Sequence, residues 1–171
     1  IKKGLMKKNV VTQTYSPSME IQVSSNFERQ LFESSGRDSD SIKDIFYEFS
    51  KNNSYTFDKD VQNDLQSCYS TTAVSNDETL NAIKKIKEKY NYLADPHTST
   101  GLYVLLEKEE SLPWVSLACA HPAKFGDAIE KATGELPTLP KDLSKLFDKE
   151  EKMTILDNNK EVLKSLILKN L

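Results

Sequence analysis

The chain has 171 residues, of which 37% are hydrophobic and 29% are charged, an ordinary balance for a protein with a packed core. Its formal net charge of −3 gives no sign of a surface for nucleic acid or for an anionic membrane. No apolar run approaches the roughly 20 residues of a membrane-spanning helix, so a cytoplasmic location is expected. Two cysteines, Cys68 and Cys119, are too few for a disulfide framework and fit a reducing compartment.

Short strands are predicted in the first 24 residues. Val10 and Val11 indicate one of them. Met19, Ile21 and Val23 alternate with polar residues, which is the period of a half-buried strand.

Two helices are predicted next, each with a start signal. Ser25 and Glu28 have the spacing of a capping box, and Gly36 ends the helix that they begin. Asp38 to Asp40 can cap the second helix. Its apolar residues recur at helical spacing, and they are Ile42, Ile45, Phe46 and Phe49.

The polar stretch 51–75 gives the weakest signals, a short helix at Asp58–Leu65 and a weak strand at Cys68–Val74. Cys68 is interpreted as a small buried hydrophobic residue. Ser75 and Glu78 then form a second capping box. The helix that follows has one apolar face, made of Leu80, Ile83, Ile86 and Tyr90.

Asp95-Pro96-His97-Thr98 precedes a helix that bears Leu102, Leu105 and Leu106. Thr98 or Ser99 is the expected N-cap, with Asp95 extended and turn-forming before Pro96. After the acidic stretch Glu107–Glu110, Trp114–Ala120 is a short, nearly uncharged run. Such a run predicts a strand buried on both faces, as in a parallel α/β sheet.

Pro122 can open the next helix at its first position, and that helix is predicted to end at Gly134. A rigid connector at Leu136–Pro140 follows. The remaining predicted elements are a short helix at Asp142–Phe147, an extended segment at Met153–Leu156 and a C-terminal amphipathic helix with Val162, Leu163, Leu166 and Ile167. The alternation of strands and helices favours an α/β fold.

Cys119 and His121 lie at the carboxyl end of the predicted strand, which is where α/β proteins bind ligands. A thiol hydrolase would need these two side chains to pair, but residues two apart on a strand are about 6 to 7 Å apart. A zinc site would need paired ligands, and His97, His121, Cys68 and Cys119 have no such spacing. No metal site is expected.

Three stretches of the sequence carry a family resemblance. Ser16–Arg29 reads S-P-S-M-E-I-Q-V-S-S-N-F-E-R, Asp95–Ser99 reads D-P-H-T-S, and Ala118–Phe125 reads A-C-A-H-P-A-K-F. They resemble, in the same order, S-P-S-M-D-I-Q-V-S-S-N-F-E-R, D-P-H-T-A and A-T-A-H-P-A-K-F of bacterial-type threonine synthases, which are pyridoxal-phosphate enzymes of fold type II. The resemblance runs over most of this chain but covers only the C-terminal part of such an enzyme.

The resemblance implies a partial α/β domain of the fold type II class, with buried parallel-type strands flanked by helices. In this interpretation residues 1–37 end the core of the cofactor domain and 38–75 form a helical, polar insertion. Residues 76–134 form an α/β segment with the two later motifs, and 135–171 are a connector and a helix. The first residue is Ile1 rather than methionine, so a piece of a longer protein is expected.

The function implied for the intact enzyme is that of a pyridoxal-phosphate-dependent lyase. It would convert O-phospho-L-homoserine and water to L-threonine and phosphate. The Schiff-base lysine is expected in the missing N-terminal part, so the isolated chain is expected to be inactive and not to bind pyridoxal phosphate stably. That N-terminal part is the expected partner, and self-association is a further expectation. A noncatalytic α/β interaction module and a fragment of another fold type II lyase stay open as alternatives.

Cys119 stands where the family has threonine, whose hydroxyl would meet the pyridine nitrogen of the cofactor. Cys119 is therefore the expected cofactor-binding residue, and His121 either helps to shape that site or is a structural histidine. Other motif residues are expected to shape the cleft, and they are Asn26, Arg29, Asp95, His97, Thr98 and Lys124. A surface ion pair remains the alternative for Arg29, and a plain helix start remains the alternative for the D-P-H-T segment.

Overall fold

The computed structural model describes residues 1–106 and 113–170. The predicted acidic stretch Glu107–Glu110 lies outside the described residues. The chain divides into two compact units, Ile1–Pro137 and Thr138–Leu171.

The first unit mixes helices with a small sheet. Its elements are β1 (Leu5–Lys7), α1 (Ser25–Ser34), α2 (Ser39–Asn52), β2 (Ser54–Thr56), α3 (Lys59–Cys68), α4 (Asn76–Tyr90), α5 (Pro96–Leu106) and α6 (Gly126–Thr133). Single turns of 3-10 helix lie at Pro17–Met19 and Pro122–Phe125. Within the described residues, the only sheet is the antiparallel pair β1–β2, in which Met6 is opposite Tyr55.

A first core forms around α1, α2 and α3. Leu31 and Leu65 are fully buried there and share a cluster with Ile42, Ile45 and Phe57. Burial of each such side chain contributes about 1.5 to 3 kcal/mol relative to leaving it exposed. The apolar face predicted for α2 is therefore confirmed, since Ile42 and Ile45 are buried in this cluster.

A second core forms where α4 packs against α5 and α6. Ala82 and Ile83 of α4 and Ile129 of α6 are fully buried. The predicted capping box at the start of α4 is confirmed: the Glu78 N–H donates to Ser75 Oγ at 3.3 Å, and the Ser75 N–H donates to a Glu78 carboxylate oxygen at 2.7 Å. This core carries the helix that begins with the D-P-H-T segment.

Other helix ends agree only in part with the sequence. Asp38 caps α2 as expected, since its carboxylate accepts the Asp40 N–H at 2.9 Å. Gly134 ends α6 as expected, with a φ of 80° that suits glycine. The capping box predicted at Ser25 does not form, because α1 already begins at Ser25 and Ser24 is its N-cap without a side-chain bond.

The predicted strands are wrong for the part of the chain that the structure describes. Val10–Val11 lies beyond the end of β1, and Met19 belongs to a 3-10 turn. Ile21 and Val23 are exposed. Residues at Cys68–Val74 complete α3 and then run without a strand, and Cys68 itself is exposed rather than buried.

The run at Trp114–Ala120 forms no strand and pairs with no strand among the described residues. It is not buried, since Val115 is 85% exposed and Leu117 is 78% exposed. Apolar side chains favour burial, which is why the run predicts a buried strand. A strand also needs the main chain of a neighbouring strand for its hydrogen bonds. The described part of the chain does not provide that neighbour.

The second unit contains α7 (Lys160–Lys169), preceded by 3-10 turns at Lys141–Leu143 and Leu146–Asp148. Asn159 caps α7, because its side chain accepts the Glu161 N–H at 2.9 Å. The predicted C-terminal helix is confirmed. The segment Met153–Leu156 forms no strand, and Ile155 is 86% exposed.

Candidate functional site

The carboxylate of Asp95 caps the N-terminus of α5. Its Oδ1 accepts the main-chain N–H of His97 at 2.9 Å and that of Thr98 at 3.3 Å. A negative charge at this position also suits the positive end of the helix dipole. Asp95, and not Thr98 or Ser99, is therefore the side chain that caps this helix, and Asp95 is only 1% exposed.

Thr98 extends this cap toward the A-C-A-H-P-A-K-F segment. Its hydroxyl donates to Asp95 Oδ2 and accepts the main-chain N–H of Cys119 at 2.9 Å. Asp95 Oδ2 also accepts the main-chain N–H of Ala120 at 3.2 Å. Two buried side chains thus hold two consecutive main-chain amides of a segment that lies more than 20 residues further along the chain.

His97 connects the same place to the S-P-S-M turn. The imidazole is 5% exposed, and its Nε2 accepts the main-chain N–H of Ser18 at 3.1 Å. Because Nε2 is an acceptor, the ring is neutral and carries its proton on Nδ1. Nδ1 lies 3.4 Å from Asp95 Oδ1, and the ring stacks obliquely on Phe125 at a centroid distance of 4.9 Å. The three motifs that carried the resemblance therefore meet around one histidine.

The side chains of Cys119 and His121 are both exposed. The Cys119 thiol donates to the Leu117 carbonyl oxygen at 3.5 Å. His121 Nδ1 accepts the Ala123 N–H at 3.1 Å and so caps the short 3-10 helix that begins at Pro122. Each side chain has its own main-chain partner, which gives His121 a local structural task.

The remaining predicted site residues lie elsewhere. Asn26 and Arg29 are exposed on α1, which packs against α2 and α3. Arg29 lines a separate cavity of about 740 Å³ together with Phe32 and Lys43. Lys124 is exposed in the turn after His121. The structure thus joins Asp95 and Thr98 to the main chain at Cys119 and Ala120, and it joins His97 to Ser18 and Phe125. Arg29 lies instead at the separate cavity beside α1 and α2.

Sequence reasoning missed two features of this site. The first is the role of the main-chain N–H groups of Ser18 and Ala120, which carry no residue signature. The second is Gly101: a Cβ there would lie 2.9 Å from Ser116 Oγ, so the side chain of Ser116 would have to shift if residue 101 carried a side chain. A single glycine inside a predicted helix was the signal that could have indicated this close approach.

Hydrogen bonds near the site connect α4 to α5 and to the segment that contains Tyr15. Tyr103 of α5 donates to Glu78 Oε1 at 2.7 Å, and the Tyr15 N–H donates to Asn76 Oδ1 at 3.0 Å. The pKa of Glu78 lies below the ordinary glutamate value, first because its carboxylate accepts the Ser75 main-chain N–H and then because of Tyr103. The pKa of Lys131 is raised, chiefly by its hydrogen bond to the Tyr15 hydroxyl at 3.0 Å.

Across residues 1–106 and 113–170, no group of His, Cys, Asp and Glu is arranged to hold a metal ion. Within the same ranges, no helix is both long enough and apolar enough to cross a membrane.

Comparisons with known proteins extend this description. A family model described as threonine synthase, C-terminal, matches residues 98–167. The threonine synthase of Pseudomonas aeruginosa is 36% identical over 154 residues, which cover 88% of this chain and 33% of that protein. The threonine synthase of Saccharomyces cerevisiae is 32% identical over 183 aligned positions, covering 92% of this chain and 36% of that protein.

Solved structures agree with the sequence relatives. The crystal structure of a PLP-bound threonine synthase from Brucella melitensis matches with a TM-score of 0.87 and 36% identity, covering 97% of this chain and 36% of that one. The yeast threonine synthase structure matches with a TM-score of 0.85 and 30% identity, covering 99% of this chain and 39% of that one. The fold is therefore part of a fold type II pyridoxal-phosphate enzyme.

Within that class, the chain matches the C-terminal part of threonine synthases. It spans about a third of the length of the relatives that it matches. The resemblance carried by the three motifs is confirmed.

Proposed function

We propose that the complete protein is a threonine synthase, a pyridoxal-phosphate-dependent lyase that converts O-phospho-L-homoserine and water to L-threonine and phosphate. This chain would supply the wall of the cleft that faces the pyridine ring of the cofactor. One observation carries the proposal: the exposed thiol of Cys119 is presented by a main chain that the buried Asp95 and Thr98 hold on both sides.

The residues present fit the ring of pyridoxal phosphate rather than its phosphate. A thiol is neutral and can donate a hydrogen bond to the pyridine nitrogen without protonating it. The five glycines are scattered along the chain and form no phosphate loop. We therefore propose that the phosphate cradle and the lysine that binds the cofactor lie in an N-terminal part of the protein.

The cofactor, when bound, supplies the electron sink for chemistry at the amino-acid substrate. The residues of this chain would orient the ring and keep its nitrogen unprotonated. The Cys119 thiol donates to the Leu117 carbonyl oxygen at 3.5 Å, and a rotation about its Cα–Cβ bond would release it to donate to the ring nitrogen instead. His121, Asn26, Arg29 and Lys124 remain proposed contributors to the shape of the cleft.

An N-terminal part of the protein is the proposed partner of this chain. Apolar side chains stand open to solvent on the segment that ends at Cys119, with Trp114 at 51%, Val115 at 85% and Leu117 at 78% exposure. Exposed apolar surface of this kind marks a contact with another protein surface. The isolated chain would then self-associate or bind the N-terminal part, and would neither hold the cofactor stably nor make threonine.

Residues 38–75, which contain α2, β2 and α3, would be a helical insertion of the cofactor domain. The protein would work in the cytoplasm, where exposed free thiols such as Cys68 and Cys119 stay reduced.

The test is made on the full-length protein. Purified with pyridoxal phosphate, it is expected to bind the cofactor stoichiometrically and to release phosphate and threonine from O-phospho-L-homoserine. The 171-residue chain alone is the matched control, and it is expected to show neither property. A full-length protein without bound cofactor and without phosphate release would overturn the proposal and favour a noncatalytic interaction module.

A further inference from the structure

The main chain at Cys119 is held on both sides of its Cα atom. The Cys119 N–H, which belongs to the preceding peptide plane, donates to Thr98 Oγ1 at 2.9 Å. The Ala120 N–H, which belongs to the following plane, donates to Asp95 Oδ2 at 3.2 Å. Because peptide units are planar, the orientations of two successive planes define φ and ψ of the residue between them. The direction of the Cys119 side chain from its Cα atom is thereby set.

The donors and acceptors of the hydrogen bonds between Asp95, Thr98 and the Cys119 amide can be arranged in only one way. A carboxylate only accepts, so the Thr98 hydroxyl gives its single proton to Asp95 and turns a lone pair toward the Cys119 N–H. Asp95 is itself fixed by the main-chain N–H groups at the start of α5. Both side chains are at least 97% buried, where water does not compete for these bonds.

We infer that Asp95 and Thr98 are positioning residues, which aim the thiol of Cys119 at the cofactor through the main-chain amides of Cys119 and Ala120. The inference rests on the proposed function only in taking the pyridoxal-phosphate ring as the group that the Cys119 thiol faces. Both residues bind main-chain N–H groups, whereas the hydrogen bond of the thiol goes to the Leu117 carbonyl oxygen. A catalytic group that is displaced by about 1 Å loses much of its effect, so main-chain control at this point is consequential.

The chain offers variants that separate positioning from helix capping. Capping uses Asp95 Oδ1 and main-chain N–H groups, so Thr98→Val keeps the cap and the shape of the side chain but removes the hydroxyl. Thr98→Ser keeps the hydroxyl. Thr100→Val is the matched control, because its hydroxyl donates to the His97 carbonyl oxygen at 2.8 Å and contacts neither amide.

The experiment uses the full-length protein carrying Cys68→Ser, so that Cys119 is the thiol followed in this part of the chain. Amide hydrogen exchange over residues 117–121, the modification rate of Cys119 by a thiol reagent, and retention of pyridoxal phosphate on dialysis are measured for each variant. In Thr98→Val, exchange is expected to rise about fivefold, the factor that one ordinary hydrogen bond corresponds to. In the same variant, the rate at which the thiol reagent modifies Cys119 is expected to change, and pyridoxal phosphate is expected to be lost faster on dialysis. Thr98→Ser and Thr100→Val are expected to stay close to the parent in all three measurements.

The two ways of failing are distinguishable. If the parent protein binds no cofactor, the proposed function fails, whatever the variants do. If the parent binds it and Thr98→Val matches Thr98→Ser in amide exchange, thiol rate or cofactor retention, then Thr98 does not position Cys119 and the inference is overturned.

Discussion

The imidazole Nε2 of His97 accepts the main-chain N–H of Ser18 at 3.1 Å, a bond between residues that are 79 positions apart in the sequence. This bond joins the S-P-S-M turn to the start of α5. Thr98 of the same helix accepts the Cys119 N–H and so joins α5 to Cys119. His97 therefore works as a buried connector, which explains why a helix that Asp95 already caps carries a histidine at its second residue.

Replacement of His97 by alanine is expected to lower the free energy of unfolding by about 2 to 3 kcal/mol, because a buried side chain and a hydrogen bond are lost together. Urea denaturation of the chain measures this. His121→Ala is the control: that histidine is exposed and caps one short turn, so about 1 kcal/mol or less is expected. Equal losses for the two variants would contradict the connector role.

Replacement of Cys119 tests the chemistry proposed for the site in the full-length protein. Threonine, the usual family residue, is expected to preserve activity, because a neutral hydroxyl donates the same hydrogen bond. Alanine is expected to weaken cofactor binding by about 1 kcal/mol, the usual net contribution of one hydrogen bond. Aspartate is expected to damage activity, because a carboxylate favours a protonated ring. An aspartate variant with parental activity and an unchanged cofactor absorption spectrum would remove Cys119 from this role.

Gly101 and Ser116 are expected to be coupled. In an ordinary helix, glycine to alanine is stabilising by up to about 1 kcal/mol. Here the added Cβ would lie 2.9 Å from Ser116 Oγ, so Gly101→Ala is expected to lose part of that gain, because the Ser116 side chain has to shift. The same change in a Ser116→Ala background is expected to be more favourable, and a double-mutant cycle on unfolding free energies measures the difference. Strict additivity would show that the two residues do not press on each other.

Glu78 is expected to contribute a pH-dependent part of the stability. Its pKa is lowered in the folded chain, chiefly by the Ser75 main-chain N–H and then by Tyr103. The folded state therefore binds that proton more weakly than the unfolded state does. The stabilisation is present above the pKa of an unfolded glutamate and is lost as the pH falls through the lower pKa of the folded state.

Unfolding free energies of the parent chain and of Glu78→Gln, compared at neutral and at acidic pH, measure this effect. The difference between the two proteins is expected to shrink on acidification. Glu88→Gln, which changes a carboxylate on the same helix outside the capping box, is the control and is expected to leave the pH dependence nearly parental. A Glu78→Gln effect of the same size at both pH values would contradict the assignment.

The sequence by itself determined the helices and the resemblance to threonine synthases. Helix periodicity and caps are local, since each bond of the Ser75–Glu78 box or of the Asp38 cap joins residues at most three apart. These features were predicted correctly, as was the end of α6 at Gly134. The three motifs identified the resemblance because they occur together and in the same order as in threonine synthases.

Only the tertiary structure decided how these pieces function together. A strand exists only if a second main chain lies beside it, so the apolar run Trp114–Ala120 could not reveal that no described strand pairs with it. Main-chain donors are chemically the same at every residue, so the sequence could not show that the Cys119 amide meets Thr98. Both features depend on contacts between positions far apart in the chain, which burial and packing determine and local pattern does not.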